Sequence, residues 1–101
     1  MLKNLLKSKK QKEQEALDEC ITVTLTEAEY YLNHANSLRI EAENYRRENY
    51  VNSYYSGMVW KTDECESTYR KMQQAKEAAF NEYSRLMNEV DKLMDEKRKT
   101  A

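Results

Sequence analysis

The apolar positions in the middle of the chain follow the spacing of a helix that packs on one partner. They recur at alternating intervals of three and four residues, which places them in a single stripe: Ala28, Tyr31, Ala35, Leu38, Ala42 and Tyr45. Just before the stripe, Thr26 and Glu29 have the spacing of a capping box, with Leu25 and Tyr30 placed as a hydrophobic staple. The pattern predicts a helix over residues 27–56.

A second stripe predicts another helix, over residues 63–98. Its members again alternate at four and three: Cys65, Tyr69, Met72, Lys76, Ala79, Tyr83, Leu86, Val90 and Leu93, widened on one flank by Phe80, Met87 and Met94. The only glycine, Gly57, lies between the two predicted helices, and glycine just past a helix end is a common cap. Thr62 or Asp63 can cap the second helix. Residues 57–62 are therefore predicted to form a turn.

Folding the two helices back on each other about residue 59 makes the stripes complementary. Small side chains then face large ones, as with Ala35 opposite Tyr83, and Tyr45 lies opposite Met72. Antiparallel helices at equal rise require this pairing. The same pairing is satisfied by a hairpin within one chain or by two chains that cross.

The first 26 residues carry a weaker pattern. Residues 1–19 are predicted to form a third, shorter helix with apolar positions at Leu2, Leu5, Leu6, Ala16 and Leu17. Residues 20–26 alternate with period two, as a strand does, and residues 58–60 form the other β-prone run. A helix of about 30 residues would hold these runs roughly 45 Å apart. Residues 20–26 are interpreted as an extended connector or a helical continuation, and strand pairing between chains is the alternative.

Composition supports one helical domain over residues 1–101. The chain has 101 residues, 35% of them charged, with one glycine and no proline, which removes the residues that punctuate all-β folds. We expect an all-α protein, a long antiparallel helical hairpin with a shorter N-terminal helix, completed by self-association into a bundle. Cys20 and Cys65 are expected to be thiols in a reducing cytoplasm, and a disulfide between them is the alternative.

The sequence carries no pattern typical of catalysis or cofactor binding. One glycine cannot build a phosphate-binding loop, and His34 has no carboxylate or thiol one helical turn away to share a metal. Acidic residues are interpreted as helix-stabilising partners of basic ones at i and i+4, for example Glu43 with Arg47. We therefore expect no enzymatic activity, no metal and no cofactor. A net charge of −1 makes binding to nucleic acid or membrane unlikely as a main role.

Residues 45–60 differ in character from the rest. Tyrosine, tryptophan, methionine and arginine are enriched in interface cores, because they bury apolar area and keep a polar or adaptable group. These residues are therefore predicted to bind a protein partner. The alternative is that they cover a neighbouring helix or thicken a dimer core. The predicted partner-binding residues are Tyr45, Arg46, Arg47, Tyr50, Tyr54, Tyr55, Met58 and Trp60.

Two functions suit this pattern. The first is a self-associating helical scaffold or adaptor, with a dimer favoured, and the second is a small phage or mobile-element inhibitor of a nucleic-acid-handling or defence enzyme. Length, a midpoint turn with glycine and tryptophan, and two long helices resemble the small helical-hairpin proteins of type VII secretion. Their turn motif is Trp-x-Gly, whereas residues 57–60 read Gly-Met-Val-Trp, and Met87 stands four residues after Tyr83 where their tail motif has an acid. The resemblance is one of architecture alone.

Overall fold

The chain is mostly helical, with two long helices joined by a short pair of strands. A computed structural model describes residues 8–100, and its elements are α1 (Lys9–Asn49), β1 (Tyr50–Ser53), β2 (Gly57–Trp60) and α2 (Asp63–Thr100). The chain divides into two compact units. We call Tyr31–Glu82 the tip unit and the remainder, up to Tyr30 and from Tyr83 on, the terminal unit, and describe each by itself.

Helix α1 begins much earlier than the sequence pattern predicted. Ser8 and Gln11 form a reciprocal capping box: the Gln11 amide donates to Ser8 Oγ at 3.1 Å, and the Ser8 amide donates to Gln11 Oε1 at 3.2 Å. These bonds satisfy two amides that a helix N-terminus leaves without intrahelical partners. The predicted start after Thr26 was therefore wrong. Residues 1–7 of the predicted N-terminal helix lie outside the described residues.

Residues 20–26 are a helical continuation and not an extended connector, because α1 runs through them without a break. Of the two favoured interpretations, the helical one is confirmed. The hydroxyls of Thr22, Thr24 and Thr26 each donate to the carbonyl oxygen four residues back, at 3.0, 2.7 and 2.9 Å. This back-bonding places the threonines inside a helix, and it leaves Thr26 unable to act as the predicted cap. Residues 9–19 belong to the same helix, so the structure shows no separate third helix in the described part of the chain.

The period-two alternation of this segment does not correspond to its burial. Ile21 is buried, whereas Val23 and Leu25 are 54% and 39% exposed. Ala28, seven residues after Ile21, is the next fully buried position. Burial at intervals of seven is helical, which explains why the strand interpretation failed.

The terminal unit holds the start of α1 against the end of α2. The side-chain amide of Gln14, through Nε2, donates to the backbone oxygen of Lys97 at 3.0 Å and to the hydroxyl of Thr100. Asp18 forms an ion pair with Lys97. The two helix segments are therefore antiparallel here. Their buried apolar residues are few: Ile21, Ala28, Leu86 and Val90.

The tip unit packs even smaller side chains in its interior. Its fully buried residues are Ala35, Ala42 and Ala79. Tyr31, Leu38 and Tyr45, the larger members of the first predicted stripe, are half-buried. The members of the second stripe from Cys65 to Leu93 are also buried or half-buried, in whichever unit they lie, whereas Met94 on its flank is exposed. Both stripes are therefore confirmed as the packed faces of the helices.

A two-stranded antiparallel sheet replaces the predicted last two turns of α1. Strands β1 and β2 pair from Tyr50 opposite Trp60 to Ser53 opposite Gly57, so the all-α prediction was incomplete. Residues 54–56 form a three-residue loop, and Gly57 follows it with φ of 71°. Such loops use a residue in the left-handed conformation, which glycine adopts without steric cost. The predicted turn over 57–62 was placed too late, because residues 50–53 had been assigned to the helix.

Helix α2 begins where the sequence predicted, with Thr62 as its cap. The backbone amide of Cys65 donates to Thr62 Oγ1 at 3.0 Å. Three acidic residues lie in the first turn, where the positive end of the helix dipole stabilises their negative charges. The helix continues to Thr100, two residues past the predicted end.

Within residues 8–100, neither helix contains a segment that is both long enough and apolar enough to cross a bilayer. Cys20 and Cys65 are both free thiols.

Candidate functional site

The sheet is held on α2 by a stack of three aromatic rings. The ring centroids of Tyr50 and Trp60, paired across the strands, are 5.0 Å apart with planes tilted by 43°. Trp60 in turn lies 5.0 Å from Tyr69 of α2, with a tilt of 39°. Tilted and offset pairs at such distances are favourable for aromatic rings. All three are half-buried, so the stack attaches the strands to the helix rather than presenting free rings.

Two tyrosines of the loop have the opposite environment. Tyr54 and Tyr55 are 94% and 92% exposed. Their rings contact each other edge to face, with centroids 4.9 Å apart and an angle of 83°. The loop that carries them closes at Gly57, and Met58, the next residue, is 51% exposed. We call residues 45–60 the hairpin tip, and its loop presents the largest exposed aromatic area among the described residues.

The two arginines of the hairpin tip lack acidic partners. The Arg46 guanidinium lies over the Tyr50 ring, 5.3 Å from its centroid, which is within the range of a cation–π contact. Glu43, the predicted partner of Arg47, forms its ion pair with Arg39 instead, at 3.1 Å. Within the described residues Arg47 makes no ion pair. Both arginines also lie in the last turn of α1, where the negative end of the helix dipole stabilises a positive charge.

A surface depression of about 470 Å³ opens beside these arginines. Met58 and Tyr50 contribute apolar surface, and Glu43, Arg46 and Arg47 contribute charge. Because Glu43 is engaged by Arg39, the unpaired charge at the depression is positive. A side chain that combines an apolar body with a carboxylate matches this arrangement.

Tyr45 lies away from the exposed loop, in a polar junction between the helices of the tip unit. Asn49 connects them: its Nδ2 donates to the Tyr45 carbonyl at 2.9 Å, and its Oδ1 accepts from the thiol of Cys65 at 3.5 Å. Hydrogen bonding by the Thr62 hydroxyl, and then by Tyr45, lowers the pKa of Cys65, while the bond to Cys65 raises the pKa of Tyr45. Tyr45 was predicted opposite Met72 but contacts residues nearer the start of α2, because the chain reverses at residues 54–56 and not near 59.

The structure divides the predicted binding residues into four groups. Tyr50 and Trp60 form the ring stack, Arg46, Arg47 and Met58 border the depression, and Tyr54 and Tyr55 form the exposed loop, whereas Tyr45 belongs to the junction with Cys65. Sequence reasoning missed Tyr69, which had been assigned only to the helix stripe. Its position two turns after the Thr62 cap was the available signal, since the first turns of a helix lie beside the chain that enters it.

The arrangement offers contacts suited to binding. Among residues 8–100, no three or more His, Cys, Asp or Glu side chains are grouped to hold a metal ion. His34 lies exposed on α1. Comparisons of the chain with protein-family models, with curated proteins and with solved structures find no match.

Proposed function

We propose that this chain is a non-enzymatic protein–protein interaction module, a self-associating helical scaffold or adaptor that uses the hairpin tip to bind protein. The observation that carries the proposal is the exposure of Tyr54 and Tyr55, at 94% and 92%. A tyrosine that is buried on binding contributes a large apolar area and keeps its hydroxyl for a hydrogen bond. Two adjacent rings on a short, closed loop provide such an area at low entropic cost, since tyrosine has few side-chain torsions.

The construction of the hairpin tip supports a binding role. The ring stack of Tyr50, Trp60 and Tyr69 positions the strands before any partner arrives, and preorganisation reduces the cost of association. The arginines extend the surface with positive charge. Glu43 and Glu48 on the same end of α1 interrupt that charge, which favours an individual acidic side chain of a protein over the continuous phosphates of nucleic acid.

The thin interior supports self-association. Four of the buried side chains of residues 8–100 are alanines. Among these residues, Val90 is the only side chain larger than alanine that is less than 2% exposed. Helices obtain most of their stability from packing an apolar face, and here large members of that face remain half-exposed. Ile40 and Val23 add 50% and 54% exposed apolar side chains. A second copy would cover this area, and we propose a dimer.

Sedimentation equilibrium over a range of concentrations tests the proposal. We expect the wild-type chain to show the mass of an oligomer and the Tyr54→Ala/Tyr55→Ala variant to shift toward the monomer. These two side chains are almost fully exposed in the single chain, so we expect the substitution to leave the fold intact, as circular dichroism can verify. Ser56→Ala, which removes only a hydroxyl from an exposed position of the same loop, is the matched control. A wild-type chain that stays monomeric at the highest concentration would contradict self-association.

The second candidate is a small inhibitor carried by a phage or mobile element, which would plug a nucleic-acid-handling or defence enzyme. It is favoured by the free presentation of Tyr54 and Tyr55 on the single chain. The same measurement separates the two. An oligomer whose mass is unchanged by the double substitution leaves the loop available for a different protein, whereas loss of the oligomer assigns the loop to self-association.

A further inference from the structure

The terminal unit has a second depression, at its open end. It has a volume of about 490 Å³ and lies between the first turns of α1 and the last turns of α2. Its surface is formed mostly by apolar atoms. Ala16 and Cys20 are exposed there and Leu17 is half-buried. Within residues 8–100, it is lined by Glu13, Ala16, Leu17, Cys20, Glu96, Lys99 and Thr100.

The charged residues at the border of this depression are not satisfied by one another. Glu13 and Glu96 form no ion pair within the described residues, and neither does Lys99. Lys99 lies in the last turn of α2, where the negative end of the helix dipole stabilises its positive charge. The two carboxylates have no such role, since neither is in the first turn of a helix. The site therefore combines an apolar floor with two unpaired acidic groups.

The seven residues that precede Ser8 have the complementary chemistry. They read Met-Leu-Lys-Asn-Leu-Leu-Lys, with three leucines and two lysines and no acidic residue. The capping box of Ser8 fixes where this segment joins α1. An apolar and basic segment therefore precedes, along the chain, the turns of α1 that line an apolar and acidic depression.

The lengths also agree. Ala16 lies eight residues beyond Ser8, about 12 Å along the helix axis, and Cys20 lies about 18 Å along it. A chain that turns back at Ser8 extends at most about 3.3 Å per residue. Leu5 can then reach about 10 Å, just short of the level of Ala16, and Leu2 about 20 Å, at the level of Cys20. The segment is long enough to cover the floor of the depression.

We propose that residues 1–7 dock into this depression of their own chain, with the leucines on the floor and Lys3 and Lys7 toward Glu13 and Glu96. A tethered segment competes favourably with any separate molecule, because a short linker gives a local concentration in the millimolar range. Docking would cover exposed apolar surface at Ala16 and Cys20, in a unit whose interior has few buried apolar residues. This inference concerns the terminal unit and does not depend on the proposed function.

The thiol of Cys20 provides the test, in a Cys65→Ser background that leaves it as the only cysteine. N-ethylmaleimide, a neutral reagent, is used to measure its alkylation rate. We expect Leu5→Ser/Leu6→Ser to raise the rate by about fivefold or more, which corresponds to a thiol covered for four-fifths of the time or longer. Asn4→Ser is the matched control and should leave the rate unchanged. Equal rates in the double variant and its parent would overturn the proposal.

The charges are tested with the same readout. Glu13→Gln/Glu96→Gln should also raise the alkylation rate, and sodium chloride should raise it in the parent but much less in this variant, because salt screens exposed charges. A rate that is insensitive to both changes would overturn the proposed placement of the lysines. Circular dichroism verifies that each variant keeps the helical content of its parent.

A cross-linking experiment identifies the molecule that supplies the segment. Leu2→Cys in the Cys65→Ser background should form a disulfide with Cys20 under mild oxidation, since a disulfide requires Cα atoms within about 7 Å. A cross-linked monomer at every protein concentration supports docking within one chain. A product that is a cross-linked dimer alone, increasing with concentration, would show that the segment comes from a second copy and would overturn the proposal as stated.

Discussion

Replacing Gly57 by alanine should destabilise the protein through the backbone alone. The glycine has φ of 71°, and a Cβ built on it meets nothing within 4 Å. Steric repulsion from neighbours therefore contributes nothing. An L-residue in the left-handed region costs about 1–2 kcal/mol relative to glycine, and alanine recovers part of this by restricting the unfolded chain. We expect a net loss of about 1 kcal/mol in the free energy of unfolding.

The natural probe for this measurement is Trp60, the only tryptophan in the chain. Its ring stacks on Tyr50 and Tyr69, so its fluorescence reports on the attachment of the sheet to α2. Urea unfolding should be followed by this fluorescence and by circular dichroism at one fixed protein concentration, since self-association makes the midpoint concentration-dependent. A loss of about 1 kcal/mol corresponds to a midpoint lower by roughly 0.5–1 M urea.

Gly57→Asn is the matched control for this substitution. Asparagine adds a Cβ to the same open space but tolerates the left-handed conformation better than alanine. We therefore expect its midpoint to fall between those of the alanine variant and the wild type. The reasoning is refuted if the alanine variant unfolds at the wild-type midpoint, or if asparagine is the more damaging of the two.

The packing and the polar contacts give three further predictions. Ala35→Leu should lower the free energy of unfolding by about 1–3 kcal/mol because it overpacks a fully buried position, whereas Ser37→Leu on the exposed face should change urea unfolding by less than about 0.5 kcal/mol. Thr62→Val removes the hydroxyl that lowers the pKa of Cys65; the pH at which iodoacetamide alkylation of this thiol accelerates should rise, and an unchanged pH profile would contradict the assignment. Asp18→Asn breaks an ion pair whose side chains are about half exposed, so thermal unfolding at low salt should show a loss of at most about 1 kcal/mol, and a larger one would contradict the assignment.

The packed faces of both helices could be predicted because they depend only on sequence spacing. Residues such as Ala35 and Leu86 repeat at three and four whatever else the chain does, and this repeat alone places them against a partner helix. The Thr62 cap was predictable for the same reason, since a cap is a local arrangement of a few residues. The start of α1 was not recognised, because its capping box at Ser8 and Gln11 lies among lysines, without an apolar run directly after it.

The strand pair was not predicted because its residues satisfy two patterns at once. Tyr50 and Tyr54 are four apart, as on a helix face, and short apolar runs cannot be assigned to helix or strand by periodicity. Only pairing with residues 57–60 decides the matter, and pairing is a tertiary contact. The eight predicted binding residues form one group in the sequence, and the separation of the supporting rings of Tyr50 and Trp60 from the exposed Tyr54 and Tyr55 required the fold.

The polar junction at Asn49 has a consequence for the alignment of the two helices in the tip unit. Alanine surfaces such as those of Ala35, Ala42 and Ala79 are smooth, and one helix could slide along the other by a turn with little change in buried area. The side-chain oxygen of Asn49 at the end of α1 accepts from the thiol of Cys65 on α2, and that contact exists at only one alignment of the two helices. A polar residue in a helix seam can specify register at a cost in stability. Asn49 thus selects a single register, at the point where α1 gives way to the strands.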